Sequence, residues 1–398
     1  MQIKKNNILR FSTILQFLAI TLFVVAPFVM TFGDEEGAIR IGAQMLPEYM
    51  ITIASALRWG ILGAMLVISF FMLRRYKIST PVLFLTLFYF IQFVYAAVDV
   101  FEYRRFFSMT ILCLFVPPLL GYIIKTNKNI VKYLLYSIAF LLIASLLLNG
   151  QMILEGRRFL GFMANPNAYG AAAVFWLAII LYADNNKLIK KKYFFILLAA
   201  IFLTTIFTGS RNALVGFFVV IIFNYYKQLN KLIGISMVLL IVTVLIAQFI
   251  DVTFATERLG NIAHAFTDTE RDVIWARAQQ SINQNFWFGN GMDANWRIAG
   301  VGNMHNSYIR FLLNMGIIYT VLALSMYFIS IASAHFNKKT PPVFVGYLIA
   351  FAFMNVGEDF FVGLGSVVFV NLLFVYGFIN YYITADADKL KTDNINIP

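Results

Sequence analysis

The strongest constraint on this chain is a series of apolar runs too long for a soluble core. "ILRFSTILQFLAITLFVVAPFVMTF" and "LIGISMVLLIVTVLIAQFI" are two of them. Each is long enough to cross a hydrocarbon layer of ~30 Å as helix, the conformation that satisfies every backbone N–H and C=O within one segment. Comparable runs cover 8–32, 51–73, 81–98, 109–124, 131–149, 166–183, 193–208, 211–226, 232–250, 307–331, 342–357 and 362–383. Composition agrees: 61% of the 398 residues are hydrophobic and 13% are charged, against about half and a quarter in soluble domains. The expectation is an all-α polytopic membrane protein with about 12 transmembrane helices. It would form a single membrane domain over 1–398, with one long extracytoplasmic loop at 251–306. The first run exceeds a signal-peptide core and precedes no small-residue cleavage site, so it reads as a retained helix. The single cysteine, Cys113, excludes internal disulfides.

Lysine sets the orientation. With the N-terminus inside, all sixteen lysines fall in inner segments, from Lys4 and Lys5 through the Lys187–Lys192 cluster to Lys389 and Lys391. The positive-inside rule then makes both termini cytoplasmic. Arginine runs the other way. Only Arg10, Arg74 and Arg75 belong to the inner side, and the remaining twelve stand in outer loops or outer halves of spans. A guanidinium binds phosphate or carboxylate through a planar fork that lysine lacks. Outward arginines therefore either pair with outer acids such as Glu102, Glu155, Glu257, Asp268 and Asp272, or serve an anionic ligand at the outer membrane boundary.

Three helix starts face that boundary. In "RRFLGFMANPNAYG", Arg157 and Arg158 precede Asn165-Pro166, an N-cap followed by proline at the first helical position. "TGSRNAL" opens the eighth span with Ser210 as cap and Arg211 in the first turn. "MHNSYIRF" opens the tenth with Asn306 or Ser307 as cap. Helix N-termini carry partial positive charge and free N–H groups, so they attract anions. An arginine in such a turn is unfavourable unless an anion lies between, which makes Arg211 odd as a structural residue and sensible as a phosphate ligand. In the tenth span Asn306, Arg310 and Asn314 make one polar stripe at i, i+4 and i+8. Intramembrane charge of this kind faces a bundle interior or wet cavity, the alternative being an Arg310, or an Arg58 in the second span, that snorkels to headgroups.

In the long loop, "TDTERDVIWARAQQSINQN" has a cap signal at Thr267/Asp268 and places Arg271, Trp275, Ala278 and Ile282 at helical spacing, before the glycines of "FWFGNGM". This predicts a short amphipathic helix that either lies on lipid or lids a cavity, with Trp275 and Trp296 as stacking faces for sugars. Of three histidines, His335 is cytoplasmic, His264 lacks polar company, and His305 stands beside the polar stripe. Glu358-Asp359, at the outer end of the eleventh span, is an adjacent acidic pair and a rival base or metal contact.

Four motifs together resemble the O-antigen polymerase and ligase superfamily of bacterial envelope glycosyltransferases. They are "RRFLGFMANPNAYG", "TGSRNALVGF", "ERDVIWARAQQSINQNFWFGNGM" and "MHNSYIRFLLNMGIIYT", and the likeness covers about residues 150–330. It implies a fold similar to the membrane-embedded glycosyltransferases, in the bacterial cytoplasmic membrane, with the active site facing outward. It also implies a polyprenyl-pyrophosphate-linked oligosaccharide donor and release of the pyrophosphate lipid. Arg157, Arg158, Asn165, Asn167 and Arg211 would surround the pyrophosphate, and Arg271 would touch phosphate or glycan, with Trp275, Asn306 and Arg310 in the binding region. His305 would act as base on the acceptor hydroxyl. The acceptor is a lipid-linked repeat unit for a polymerase, the favoured reading, and lipid A-core or another molecule for a ligase. A flippase and a chain-length regulator are the protein partners such a polymerase implies; no cofactor, metal or nucleic acid is expected. The reading from another class is a lipid-linked oligosaccharide flippase or transporter, which the crowding of charge at one edge and the absence of related halves disfavour.

Overall fold

The computed structural model describes residues 2–28, 47–96, 102–127, 129–163, 165–247, 269–300, 304–364 and 366–385. Among them all regular structure is helical. The main helices are α1 (Gln2–Val25), α2 (Glu48–Met72), α3 (Thr80–Ala96), α4 (Tyr103–Thr126), α5 (Ile130–Leu154), α6 (Pro166–Asn185) and α7 (Lys191–Phe207). They continue with α8 (Arg211–Tyr225), α9 (Leu229–Ala247), α10 (Thr269–Gln284), α11 (Ala294–Arg297), α12 (Ser307–Phe336), α13 (Pro342–Met354) and α14 (Val367–Thr384). Helices occupy most of each of the expected apolar runs. Among the described residues, seven helices are long and apolar enough to cross a membrane by length and composition. The chain is an all-α integral membrane protein.

α6 is the axis of the bundle. Every residue from Tyr169 to Asp184 is buried, so this helix meets protein on all sides rather than lipid. Its neighbours come close because small residues line the contacts, the usual basis of helix association where lipid removes the hydrophobic incentive. A Cβ added at Gly170 would stand 2.6 Å from the Ala213 Cβ of α8. One added at Gly346 of α13 would stand 2.7 Å from the Phe223 Cβ, again on α8. These approaches lock α6, α8 and α13 into one unit, which fixes where their polar ends meet.

The tenth expected span is divided rather than continuous. α12 breaks at Gly316, where φ is 68° and ψ is 178°, and the polar stripe of Asn306, Arg310 and Asn314 lies wholly before the break. The carbonyls freed there are met by the loop that follows α10. Asn290 and Gly291 N–H groups donate to Leu313 and Asn314 carbonyls at 3.0 Å each, and Ile317 N–H donates to Phe286 O at 2.8 Å. The approach demands glycine on both sides: a Cβ at Gly289 (φ +75°) would fall 2.3 Å from Asn314 O, and one at Gly316 would fall 2.4 Å from Gly289 N. Non-helical backbone at this position is tolerated because protein covers it.

α10 lies within the stretch where a short loop helix was expected; its expected cap, Thr267/Asp268, lies outside the described residues. Ala278 and Ile282 are buried, and with Trp275 they pack on Ala294, Met304 and Leu313. The apolar face of α10 is therefore turned to protein, not to lipid.

Candidate active site

The N-termini of α6, α8 and α12 and the C-terminus of α13 gather at one end of the bundle, each held by its own cap. Asn165 Oδ1 accepts from the N–H groups of Asn167 (2.7 Å) and Ala168 (3.2 Å). Ser210 Oγ accepts from Ala213 N–H at 3.4 Å. Asn306 Oδ1 accepts from Tyr308 (2.9 Å) and Ile309 (3.0 Å). Each cap satisfies donors that would otherwise be orphaned, at a gain of about 1 kcal/mol apiece. The expected caps are the observed ones, with Asn306 chosen over Ser307.

Ser307 does a different job. Its hydroxyl donates to Asn355 Oδ1 at 2.7 Å, and its N–H lies 3.0 Å from Asn355 O and 3.2 Å from Glu358 O. This seats the start of α12 on the turn after α13. Asn212, the second residue of α8, packs on the same turn so closely that a Cβ at Gly357 would fall 1.8 Å from its amide nitrogen.

The turn presents Glu358, whose side chain is only 3% exposed. Three separate segments reach it. Asn167, from the start of α6, donates its side-chain amide to Oε1. Arg271, from α10, has a guanidinium nitrogen 4.0 Å from Oε1. His305 Nδ1 stands 3.6 Å from Oε2. A buried carboxylate requires partners of this kind, because an isolated charge removed from water is costly.

His305 itself is unusual. Its φ of 51° lies in the left-handed region, where residues other than glycine are uncommon and strain of roughly 1 kcal/mol or more is held by neighbours. Those neighbours are visible: Met304 N–H donates to Asp359 Oδ2 at 2.7 Å on one side, and Asn306 enters its cap on the other. Burial penalises the imidazolium, but the hydrogen-bonding and charge of Glu358 outweigh it, and the His305 pKa is raised above its ordinary value. Asp359 is also raised, by burial first, against the opposing pull of Arg310 and the Met304 N–H.

The arginines divide into two groups. Arg157 is half exposed and pairs with Glu155 at 3.2 Å, the plain structural alternative for an outward arginine; Arg105 does the same with Glu102 at 2.9 Å. Arg310 is buried and pairs with Asp359 at 3.4 Å. It neither snorkels nor faces an open cavity, and with Asn314, whose amide donates to Met292 O at 2.8 Å, the stripe ties the loop and the acidic turn to α12. Arg158, by contrast, lies across the helix starts. Its Nε donates to Thr208 O at 2.9 Å and its Nη2 to Asn167 Oδ1 at 3.1 Å, which links the first two motifs. Arg211 is the first residue of α8 and is half-buried. Trp275 donates its indole N–H to Met304 O at 2.9 Å, so it braces the residue before His305. Trp296 is exposed.

Residues from three of the four motifs therefore converge on one buried carboxylate, and Asn212 of the remaining motif packs on the turn that carries it. The sequence marked Glu358-Asp359 as an acidic pair at a span end but gave no sign that Glu358 would be central. Asn212 and Asn355 carried no signal beyond being amides in apolar surroundings. An apolar cavity of about 420 Å³ adjoins the site; its walls include Tyr308 and Val356, next in chain to Ser307 and Gly357, together with Phe328, Ile331 and Phe353.

The O-antigen ligase family model matches residues 193–324, the stretch from α7 through α10 to the first limb of α12 and beyond its break. Over that stretch, about a third of its length, the chain is similar to the O-antigen ligase family. No curated protein matches it.

Proposed function

We propose that this chain transfers a glycan from a polyprenyl-pyrophosphate donor to an acceptor hydroxyl at the end of the bundle where the helix starts and Glu358 meet. The lysine bias assigns that end to the outer face of the cytoplasmic membrane. The observation that carries the reading is the convergence of Asn167, Arg271 and His305 on the buried Glu358. A histidine of raised basicity, backed by a carboxylate and bordered by arginines and helix N-termini, suits a reaction that removes one proton and expels one anion.

In that reaction the acceptor oxygen attacks the anomeric carbon and forms the new glycosidic bond. The bond from that carbon to the pyrophosphate oxygen breaks, and its electron pair leaves with the lipid pyrophosphate. His305 takes the acceptor proton, and Glu358 stabilises the imidazolium that results. Arg158, Arg211 and Arg271, with the positive ends of α6 and α8, stabilise the departing pyrophosphate, whose charge grows as the bond breaks. Asn165 and Asn167 shape the helix start beside it. The adjoining apolar cavity suits the isoprenoid part of such a donor, since it continues from the polar site along α12 and α13.

For the acceptor we favour a second lipid-linked repeat unit, which makes the protein a polymerase. The ligase reading draws support from the description of the matching family. Purified protein incubated with a lipid-pyrophosphate repeat unit alone separates them. A ladder of multiples establishes the polymerase; transfer only after a different acceptor is added establishes the ligase; no transfer with either refutes both.

A further inference from the structure

The end of the bundle opposite the candidate site holds a polar cavity of about 190 Å³. α14 begins beside the acidic turn and ends at Thr384 after 18 residues, roughly 27 Å away at 1.5 Å per residue. There the C-termini of α2, α4 and α14 come together. The cavity between them is lined by Arg74, Arg75, Lys77 and Lys125, with Tyr122 and Asn380 among its other walls, and among the described residues its lining contains no aspartate or glutamate.

Four cationic side chains gather where three helix C-termini meet, a setting whose partial negative charge favours cations. The cavity is built rather than incidental. Asn380, which is 1% exposed, accepts from Ser79 N–H at 2.8 Å and donates to Lys77 O at 3.1 Å. This pins the Arg74–Lys77 turn to α14. Gly121 permits the approach of α4, since a Cβ there would stand 3.1 Å from the Asn380 amide nitrogen. Directly above the arginines, Phe70 and Phe71 are 62% and 80% exposed on α2, an apolar strip ending at a cationic pocket.

We propose that this cavity binds a phosphate group carried by an anionic phospholipid, with the headgroup among Arg74, Arg75, Lys77 and Lys125 and the acyl chains along the Phe70–Phe71 face. Basic pockets between helices at the lysine-rich side of a membrane protein are suited to such headgroups. The chain has a rival anion of its own, because Asp386 and Asp388 follow α14 in sequence.

The test is native mass spectrometry of the full-length protein in detergent, titrated with cardiolipin, phosphatidylglycerol, phosphatidylcholine and inorganic phosphate. The expected result is retention of the anionic lipids over phosphatidylcholine. The triple variant Arg74→Gln/Arg75→Gln/Lys125→Gln weakens that retention at least ~10-fold. The control Lys190→Gln/Lys192→Gln, at the same end but outside the cavity, keeps it, with thermal stability of both variants matched to the parent. Equal retention of phosphatidylcholine, or equal loss in the control, overturns the site. Binding of inorganic phosphate with no lipid preference overturns the lipid as its source. Anion binding that appears only in Asp386→Asn/Asp388→Asn shows that the chain's own tail fills the cavity, and overturns the proposal.

Discussion

Replacing Glu358 by glutamine separates a carboxylate that acts through His305 from one that merely fills space. Glutamine keeps the volume and an oxygen to accept from Asn167, so packing is preserved while the charge goes. Two unit charges 3.6 Å apart, the Nδ1–Oε2 separation, interact by roughly 1 kcal/mol in bulk water and about 4–5 kcal/mol at an effective dielectric constant of 20. The His305 side chain is 32% exposed, so solvent screening places the working value between these limits. That range corresponds to a loss of about fivefold to about two-thousandfold in turnover, its upper part overlapping the 10²- to 10⁴-fold typical of a whole general base. The pH dependence gives the sign. Glu358 raises the His305 pKa against burial, and the base works only when neutral, so activity in the parent rises as pH climbs through that raised value. In Glu358→Gln the burial that lowers the pKa is left less opposed. The acid limb of the kcat/KM profile should therefore move to lower pH, while the plateau falls because the base is weaker. The assay is release of lipid pyrophosphate across a pH series, at matched thermal stability. An unmoved limb with an unchanged plateau would refute the coupling. Complete inactivity of Glu358→Gln beside a fully active His305→Gln would make the carboxylate the base instead.

Arg211→Lys keeps the charge but loses the planar fork, so donor affinity should fall at least ~10-fold; parental affinity would mean that Arg211 does not touch the pyrophosphate. Gly289→Ala places a methyl 2.3 Å from Asn314 O at a φ of +75°, which should cost roughly 2–4 kcal/mol and lower the melting temperature in detergent. Arg310→Met leaves Asp359 buried without its cation and should cost about 3–5 kcal/mol, part of it recovered by adding Asp359→Asn. Arg157→Ala, at an exposed pair, should change stability by less than ~1 kcal/mol; equal losses at the two arginines would contradict the burial argument.

The helices were legible because lipid imposes one rule along the whole chain: each span must be apolar and internally hydrogen-bonded. The three caps at Asn165, Ser210 and Asn306 were legible for a related reason, since capping is decided by residues a few positions apart. The break at Gly316 was not. A glycine inside an apolar run carries no local sign that another segment, Phe286 to Met292, will enter the helix there. The arginines show the same limit. Arg157, Arg158 and Arg310 look alike in sequence, and only their distances to Glu155, Asn167 and Asp359 sort an exposed ion pair from a motif link and a buried strut. Glu358 was visible as an oddity at a span end, but its central place depends on partners up to 191 positions away, which no periodicity reports.

In the proposed reaction His305, supported by Glu358, takes the acceptor proton during glycan transfer from a lipid pyrophosphate. The most direct measurement is a single-turnover reaction with a lipid-pyrophosphate repeat unit, comparing the parent with His305→Gln at saturating donor and matched thermal stability. Donor affinity and the rate of lipid-pyrophosphate release are read separately. Donor affinity should stay within about threefold of the parent while release slows by about 10²- to 10⁴-fold. Release at the parental rate in His305→Gln would contradict a base role for His305.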